Sequence, residues 1–377
     1  MSTPLKANDS VLIIGAGLIG LGIAWKLAQQ GTHVTIVDAH HAGYGASSAA
    51  AGMLAATAEV NFEEEELLKL NHLSAQHYPE FIDELQSLTQ VDLDFRTHGS
   101  LVIGLDRDDT EALQRLLRYQ QQLDLNAQML SGEEARELEP ALAPSVHSAV
   151  LCPQDYQVNP ILLVEGFKKA LSIEGATLRE HTPIKELILS KDERTVLGAR
   201  TESGEDILAD RTLVAAGAWT RRLLGVKKQH LPRIRPVLGQ MLALQMEDEP
   251  ICNHVIRAPD AYLIPRSNGE LIIGASMEER GFTTTQRAGS IFELLRGAWE
   301  TMPGIYDLPF LRTWTGYRPM SLHNEPVLGP SPALNQLWFA TGHGRNGVLL
   351  TAITAREMSR SLQDGKLTTP LLPFKIR

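Results

Sequence analysis

The segment from Val11 to Asp38 admits few folds. Val11 to Ile14 is a short apolar run that stops at Gly15, Leu18 to Gln29 carries helix-compatible spacing until Gly31, and His33 to Val37 is a second β-branched run ending at Asp38. Strand, tight turn, helix and strand within roughly thirty residues make a βαβ unit, and such units close right-handed onto a parallel sheet. Between the first strand and the helix stands Gly15-Ala16-Gly17-Leu18-Ile19-Gly20, which fits GxGxxG. Its first glycine makes the turn, its second lets backbone approach a pyrophosphate, and its third allows close helix packing. The helix N-terminus behind it offers unpaired N–H groups and the positive end of a dipole. Asp38 stands where an acid bonds a ribose 2′-hydroxyl, which disfavours NADP and leaves NAD and FAD open.

Residues 11–28 are apolar enough to raise a membrane helix, yet they hold four glycines and Lys26, and the dinucleotide loop explains them better. The opening MSTPLKANDS is polar and has no signal-peptide pattern. With 377 residues the chain exceeds the usual limit of a single core, so one large or two interleaved domains are expected. A net charge of −10 without a Lys/Arg stripe argues against nucleic acid. Cys152 and Cys252 are far apart, form no CxxC and have no histidine at metal spacing, so no zinc site is expected, and a reduced, cytoplasmic setting fits them.

Further along, Leu67, Leu70, Tyr78, Phe81, Leu85 and Leu88 recur at mostly three- and four-residue steps and predict a long helix. The acidic run Glu63 to Glu66 at its start reads as a solvated charged face. Ser131 with Glu134 predicts a capping box, and Asn159-Pro160 an N-cap opening a helix that ends near Gly175. Residues 237–244, 261–265 and 271–275 predict an antiparallel sheet. Trp338 to Thr341 predicts a strand, followed by the glycine-rich GHGRNG and a final helix over about 348–362.

Six segments then resemble one known family in its own order. They are Gly45 to Leu54, Leu213 to Trp219, Tyr262 to Arg266, Gly274 to Met277, Gly316 to Pro319, and Gly342 to Gly347. They are similar to motifs of the glycine oxidases within the D-amino-acid oxidase family, and this resemblance decides for FAD. It implies an α/β fold in which a Rossmann-type FAD-binding domain (residues 1–90, 145–225 and 325–377) is interleaved with an antiparallel-sheet substrate domain (91–144 and 226–324). Small residues across 46–53 suit a backbone that must lie against a cofactor.

The cofactor-binding residues expected from the glycine loop and the resemblance are Gly15, Gly17, Leu18, Ile19, Gly20, Asp38 and Ala39, then Ala46, Ser47, Ser48, Ala51, Gly52 and Met53. Ile184 and Gly217 follow, and then His343, Gly344, Arg345, Asn346, Gly347, Val348 and Leu349 over the flavin ring. Gly344 stands where the family pattern has an aromatic residue. Related sarcosine oxidases attach flavin through a C-terminal cysteine; no cysteine follows Cys252, so FAD is expected to be non-covalent, with a histidyl link left open by the sequence.

An amino-acid oxidase must hold a carboxylate, keep the amine neutral and aim the α-C–H at the flavin, whose own chemistry does the rest. The planar fork of arginine suits the carboxylate. The resemblance makes Arg318 the main carboxylate ligand, gives Tyr262 a hydrogen bond beside it, and puts Arg345 near substrate and flavin. Met277 corresponds to a pocket methionine, although core filling is the commoner use of a strand methionine. Hydride transfer from a neutral amine needs no strong base, so His343 is read as a positioning residue.

The expected reaction is oxidative deamination of glycine, sarcosine or a small D-amino acid. Oxygen is reduced to peroxide and the imine either hydrolyses or enters the thiazole ring of thiamine. The partners expected are a small amino-acid substrate and oxygen, with neither nucleic acid nor membrane, in a homo-oligomer that the family suggests is a tetramer. Three alternatives stand beside this reading: a dehydrogenase of the same fold serving a quinone or carrier protein, an N-methyl amino-acid oxidase, and a non-catalytic flavin-binding assembly factor.

Overall fold

The computed structural model describes residues 4–6, 8–247 and 249–376. Residues 1–3 and 7 of the polar N-terminal stretch lie outside the described residues, so the part of the first expected domain segment that falls there is not described.

The βαβ reading holds: Ser10–Ile14 and His33–Val37 pair in parallel with the helix Leu18–Ala28 between them. They sit inside a six-stranded sheet of order Val327–Pro330, Leu337–Thr341, Arg211–Val214, Ser10–Ile14, His33–Val37, Thr177–Arg179. All neighbours run parallel except the first pair. The helix Leu18–Ala28 is apolar nearly all round because it is covered on its far side by Thr351–Asp364 and Pro160–Ile173. Gly22 makes that crossing close, since a Cβ there would stand 3.1 Å from the Ala355 methyl. Trp25, fully buried, packs against Phe81 and Phe167 with ring centroids 5.4 and 5.9 Å apart. Truncating it to alanine should cost about 3–5 kcal/mol.

The expected long helix is Glu65–Thr89, and Leu67, Leu70, Tyr78, Phe81 and Leu85 are buried as the periodicity requires. Asn159 caps Pro160–Ile173 through the N–H groups of Ile161 and Leu162, and Ser131 with Glu134 forms the capping box. The final helix is Thr351–Asp364, starting later than expected because Gly344–Asn346 forms a 3-10 turn and residues 347–350 continue as turn.

The second large sheet has eight strands in the order Phe310–Met320, Arg235–Gln245, Glu270–Gly274, Tyr262–Pro265, Val255–Arg257, Ser100–Gly104, Ser148–Cys152, Gln128–Ser131. It contains the antiparallel strands read from 237–275. Successive side chains of a strand point to opposite faces. Leu242, Leu244, Ile256, Leu263, Leu271 and Ile273 therefore enter one core beneath the helix Ala288–Thr301. Met241, Ala243, Val255, Ile264 and Ile272 face the other way with Ala51. On that second face also fall, by the same period of two, Gly239, Arg257, Tyr262, Gly274, Gly316 and Arg318.

For the domains we propose a division by sheet membership. Ser148–Cys152 pairs with Ser100–Gly104 and Gln128–Ser131, so the proposed boundary lies at about 153 in place of the expected 145. The other segment ends proposed are those expected from sequence, at 90, 225 and 325.

Candidate active site

A cavity of about 760 Å³ lies between the parallel sheet and the inner face of the eight-stranded sheet. Every expected site residue lines it except Gly20 and Ser48. Gly20 packs instead, because a Cβ there would sit 2.0 Å from the Gly15 carbonyl oxygen. Ser48 borders a smaller neighbouring cavity with Arg312 and Trp314.

At one end, Gly15 has φ +112°, and a Cβ on it would meet the Ala215 carbonyl oxygen at 2.5 Å. Gly17 is the N-cap of Leu18–Ala28 and offers no capping side chain, so the first turn keeps backbone N–H groups aimed into the cavity. The Leu18 N–H is taken by Ser47 Oγ at 3.0 Å, which ties the segment 45–53 to the helix start. The Asp38 carboxylate accepts from the N–H of Ala16 at 2.8 Å and of His40 at 2.9 Å. Burial raises its pKa, against those two hydrogen bonds. Each oxygen keeps a lone pair for a ribose hydroxyl. A bare cradle, an uncapped helix start and a spare acceptor together fit a dinucleotide cofactor.

Two supports of the segment 45–53 were not legible in the sequence. Arg266, 5% exposed, donates to the carbonyls of Ala51 and, at 2.9 Å, of Val158. Burial pushes it down to about 10. The Trp314 indole donates to the Ala49 carbonyl at 3.1 Å. Across the cavity, residues 343–349 are held from behind by the long helix: Ser74 Oγ donates to the Leu349 carbonyl at 2.5 Å and the Tyr78 phenol to that of Val348 at 3.0 Å. Tyr78 had been visible only as part of an apolar stripe. Gly344 has φ +56°, and a Cβ there would meet the Met320 sulfur at 2.9 Å, so Met320 fills the place where an aromatic residue was expected. His343 is buried, its Nε2 lies 3.2 Å from Thr354 Oγ1, and burial pushes it down to about 3. A neutral imidazole spaces the turn, in keeping with its reading as a positioning residue.

At the other end stand Tyr262 and Arg318. Arg318 donates to the Ser276 carbonyl at 3.0 Å and, among the described residues, has no carboxylate within ion-pair distance. The Tyr262 phenol is pushed up to about 12 by burial, which the adjacent Arg318 opposes by charge and hydrogen bond. Two glycines make room for the pair. A Cβ at Gly239 would meet Arg318 Nη1 at 2.5 Å, and one at Gly274 would meet the Tyr262 phenol oxygen at 2.5 Å. Ser276, which holds Arg318, is itself bonded to Glu278 at 2.9 Å and to the Gln240 N–H at 2.9 Å.

Arg345 lines the cavity, but its guanidinium is engaged by Glu64 at 2.5 Å and approached by Glu59 at 3.7 Å. Glu64 thus departs from the solvated face expected for the acidic run, because it turns inward at the helix start; Glu65 and Glu66 do stay outside with Lys69. Glu59 also pairs with Arg257 at 2.5 Å. Met277 is 67% exposed at the cavity, which removes the core-filling alternative. Both cysteines are buried, free thiols and neither lines the cavity. No group of metal-ligating side chains and no helix long and apolar enough to cross a membrane occurs among the described residues.

Known proteins share the fold and much of the sequence. The family model described as FAD dependent oxidoreductase (DAO) matches residues 10–361. Glycine oxidase of Bacillus subtilis (strain 168) is 30% identical over 94% of this chain and 93% of its own length. Glycine oxidase of Pseudomonas aeruginosa is 32% identical over 95% and 96% respectively. The crystal structure of glycine oxidase from Geobacillus kaustophilus superposes with a TM-score of 0.91 at 29% identity, covering 99% of each chain.

Proposed function

The chain belongs to the FAD dependent oxidoreductase family, as an FAD-dependent amino-acid oxidase, and from that premise we propose that its substrate is glycine or a near relative such as sarcosine or a small D-amino acid. The observation that carries the reading is Arg318: a half-buried guanidinium with no carboxylate partner among the described residues, beside a buried phenol, in the cavity that begins at the dinucleotide loop.

The loop Gly15 to Gly17, the first turn of Leu18–Ala28, Asp38 and the segments 46–53 and 343–349 would hold FAD non-covalently, since no cysteine reaches the cavity. Bound there, FAD supplies the hydride acceptor and passes the electrons on to oxygen. Arg318 takes the substrate carboxylate through two of its N–H donors, a charge-assisted arrangement with fixed orientation. Tyr262 stays protonated throughout the neutral range and donates its hydroxyl to the same carboxylate. With one end of a two-carbon acid fixed in this way, the amine and α-carbon are constrained to the side facing 343–349, and that is the entropic part of the catalysis. His343, neutral and bonded to Thr354, keeps that wall in place and takes no proton. Arg345 acts at one remove: it ties Glu64 and Glu59, and with them residues 59–64, to the cavity.

Met277 and the small residues Ala49, Ala51 and Gly274, which line the same cavity, suit a small substrate. We place the protein in a reduced, cytoplasmic setting on the strength of its two free thiols, and as a homo-oligomer, for which the family resemblance is the support. Supply of an imine for thiazole formation is the cellular role that the same resemblance implies.

Anaerobic titration of the purified yellow protein with glycine, sarcosine, D-alanine and L-alanine tests the reading. Bleaching by glycine or sarcosine, with colour and peroxide returning in air, is the expected result. Bleaching with slow return of colour would point to a dehydrogenase, and flavin that stays oxidised with all four amines would overturn the assignment.

A further inference from the structure

The charges around the carboxylate anchor are countable. Arg257 and Tyr262 are opposite residues in the pairing of Val255–Arg257 with Tyr262–Pro265, so their side chains leave the same face of the sheet as immediate neighbours. Arg257 lines the cavity, and its guanidinium is bound by Glu59 at 2.5 Å. Glu59 comes from the segment before the helix Glu65–Thr89, is 16% exposed, and lines the cavity too. Its segment is tethered on two sides. Asp155, fully buried, accepts from the N–H groups of Thr57 and Ala58 at 2.8 and 2.9 Å, and Arg345 approaches the second Glu59 oxygen at 3.7 Å. The charged groups felt at the Tyr262 phenol are Arg318, Glu59 and Arg257. With Arg345 neutralised by Glu64, these two cations and one anion leave one uncompensated positive charge, and that charge belongs to Arg318.

We propose that Glu59 is a specificity-determining residue: by occupying Arg257 it restricts the pocket to amines with a single carboxylate and rejects those with a second. This rests on the reading of Arg318 and Tyr262 as the carboxylate anchor. A dicarboxylate, such as an amino diacid or an amine bearing two carboxymethyl groups, would have to bring its second anion up to Glu59 and displace it from Arg257. Without the Glu59 charge, Arg257 becomes a second anchor in the same pocket, one cross-strand position away from the first.

The test uses the flavin-bound protein and two ligands that do not react, acetate and malonate, with dissociation constants read from perturbation of the flavin absorbance. Because both ligands place one carboxylate on Arg318, the ratio of their affinities isolates the second. Glu59→Gln should raise the malonate-to-acetate affinity ratio about tenfold or more, as expected for removing a unit charge a few ångströms away in a partly shielded site. Arg257→Gln should move the ratio the opposite way, because Glu59 then faces the second carboxylate with only Arg345, already bound by Glu64, beside it; this variant decides the matter if the first does not fold. The double variant should lose the gain. Ratios within twofold of the parent in the folded variants would overturn the proposal. Failure of acetate itself to perturb the flavin of the parent protein would instead count against the carboxylate anchor and the function built on it.

Discussion

Gly239→Ala is the most demanding check on the anchor, because the substituted residue has no side chain of its own to offer a substrate. Gly239 lies in the middle of Arg235–Gln245, diagonal to Arg318 on the neighbouring strand, where Val237 is opposite Arg318 and Gly239 opposite Gly316. Its backbone is outside the left-handed region, so alanine brings no conformational strain and should slightly favour the strand. The new methyl would stand 2.5 Å from Arg318 Nη1 and 3.0 Å from Cζ. Ordinary contact begins at 3.4 Å, so the guanidinium must retreat by roughly an ångström while the backbone stays. That shift breaks a two-pronged grip on a carboxylate, and one charge-assisted hydrogen bond is worth ~1.5–3 kcal/mol. Acetate affinity should therefore fall about 10- to 150-fold, with KM for glycine rising in step. The assay is flavin-perturbation titration with acetate, alongside flavin content and thermal unfolding, both of which should match the parent. Acetate affinity within threefold of the parent in a folded, flavin-loaded variant would refute the assignment of Arg318.

Tyr262→Phe removes one neutral donor and should weaken acetate binding by about 0.5–1.5 kcal/mol, or 2- to 12-fold, in the same titration, with flavin content unchanged. Gly15→Ala places a Cβ 2.5 Å from the Ala215 carbonyl oxygen at φ +112°, and should yield protein with little or no flavin by its visible absorbance. His343 has its folded pKa lowered to about 3 by burial, against an ordinary value of 6.5, so the unfolded chain binds the extra proton between those values. Stability from this group is therefore complete above pH 6.5 and is lost on acidification at up to ~1.4 kcal/mol per pH unit. Denaturant unfolding from pH 7 to pH 5 should show a shallower loss in His343→Gln than in the parent, and equal slopes would remove His343 as the source.

The parts of the site that follow chain neighbours were readable. The glycine loop needs its residues in one turn between a strand and a helix, and Asp38 needs only to end the next strand. The order of strands and helices across 10–38 and 237–275 came through because burial imposes its period on consecutive residues. Arg345 shows the limit of such reading: its motif put it at the cavity, but its charge had already been claimed by Glu64, far away in sequence.

What the sequence alone determined is the cofactor half of the protein, since a βαβ unit is local and its loop chemistry is carried by contiguous backbone. Tertiary structure decided how the residues of the substrate half come together. Arg318, Tyr262, Gly239 and Gly274 meet because four strands pair in one register, and Glu59 meets Arg257 because a segment some two hundred residues away lies across that sheet. Ion pairs and close approaches across a sheet depend on distances in space, which a linear pattern of residues does not encode.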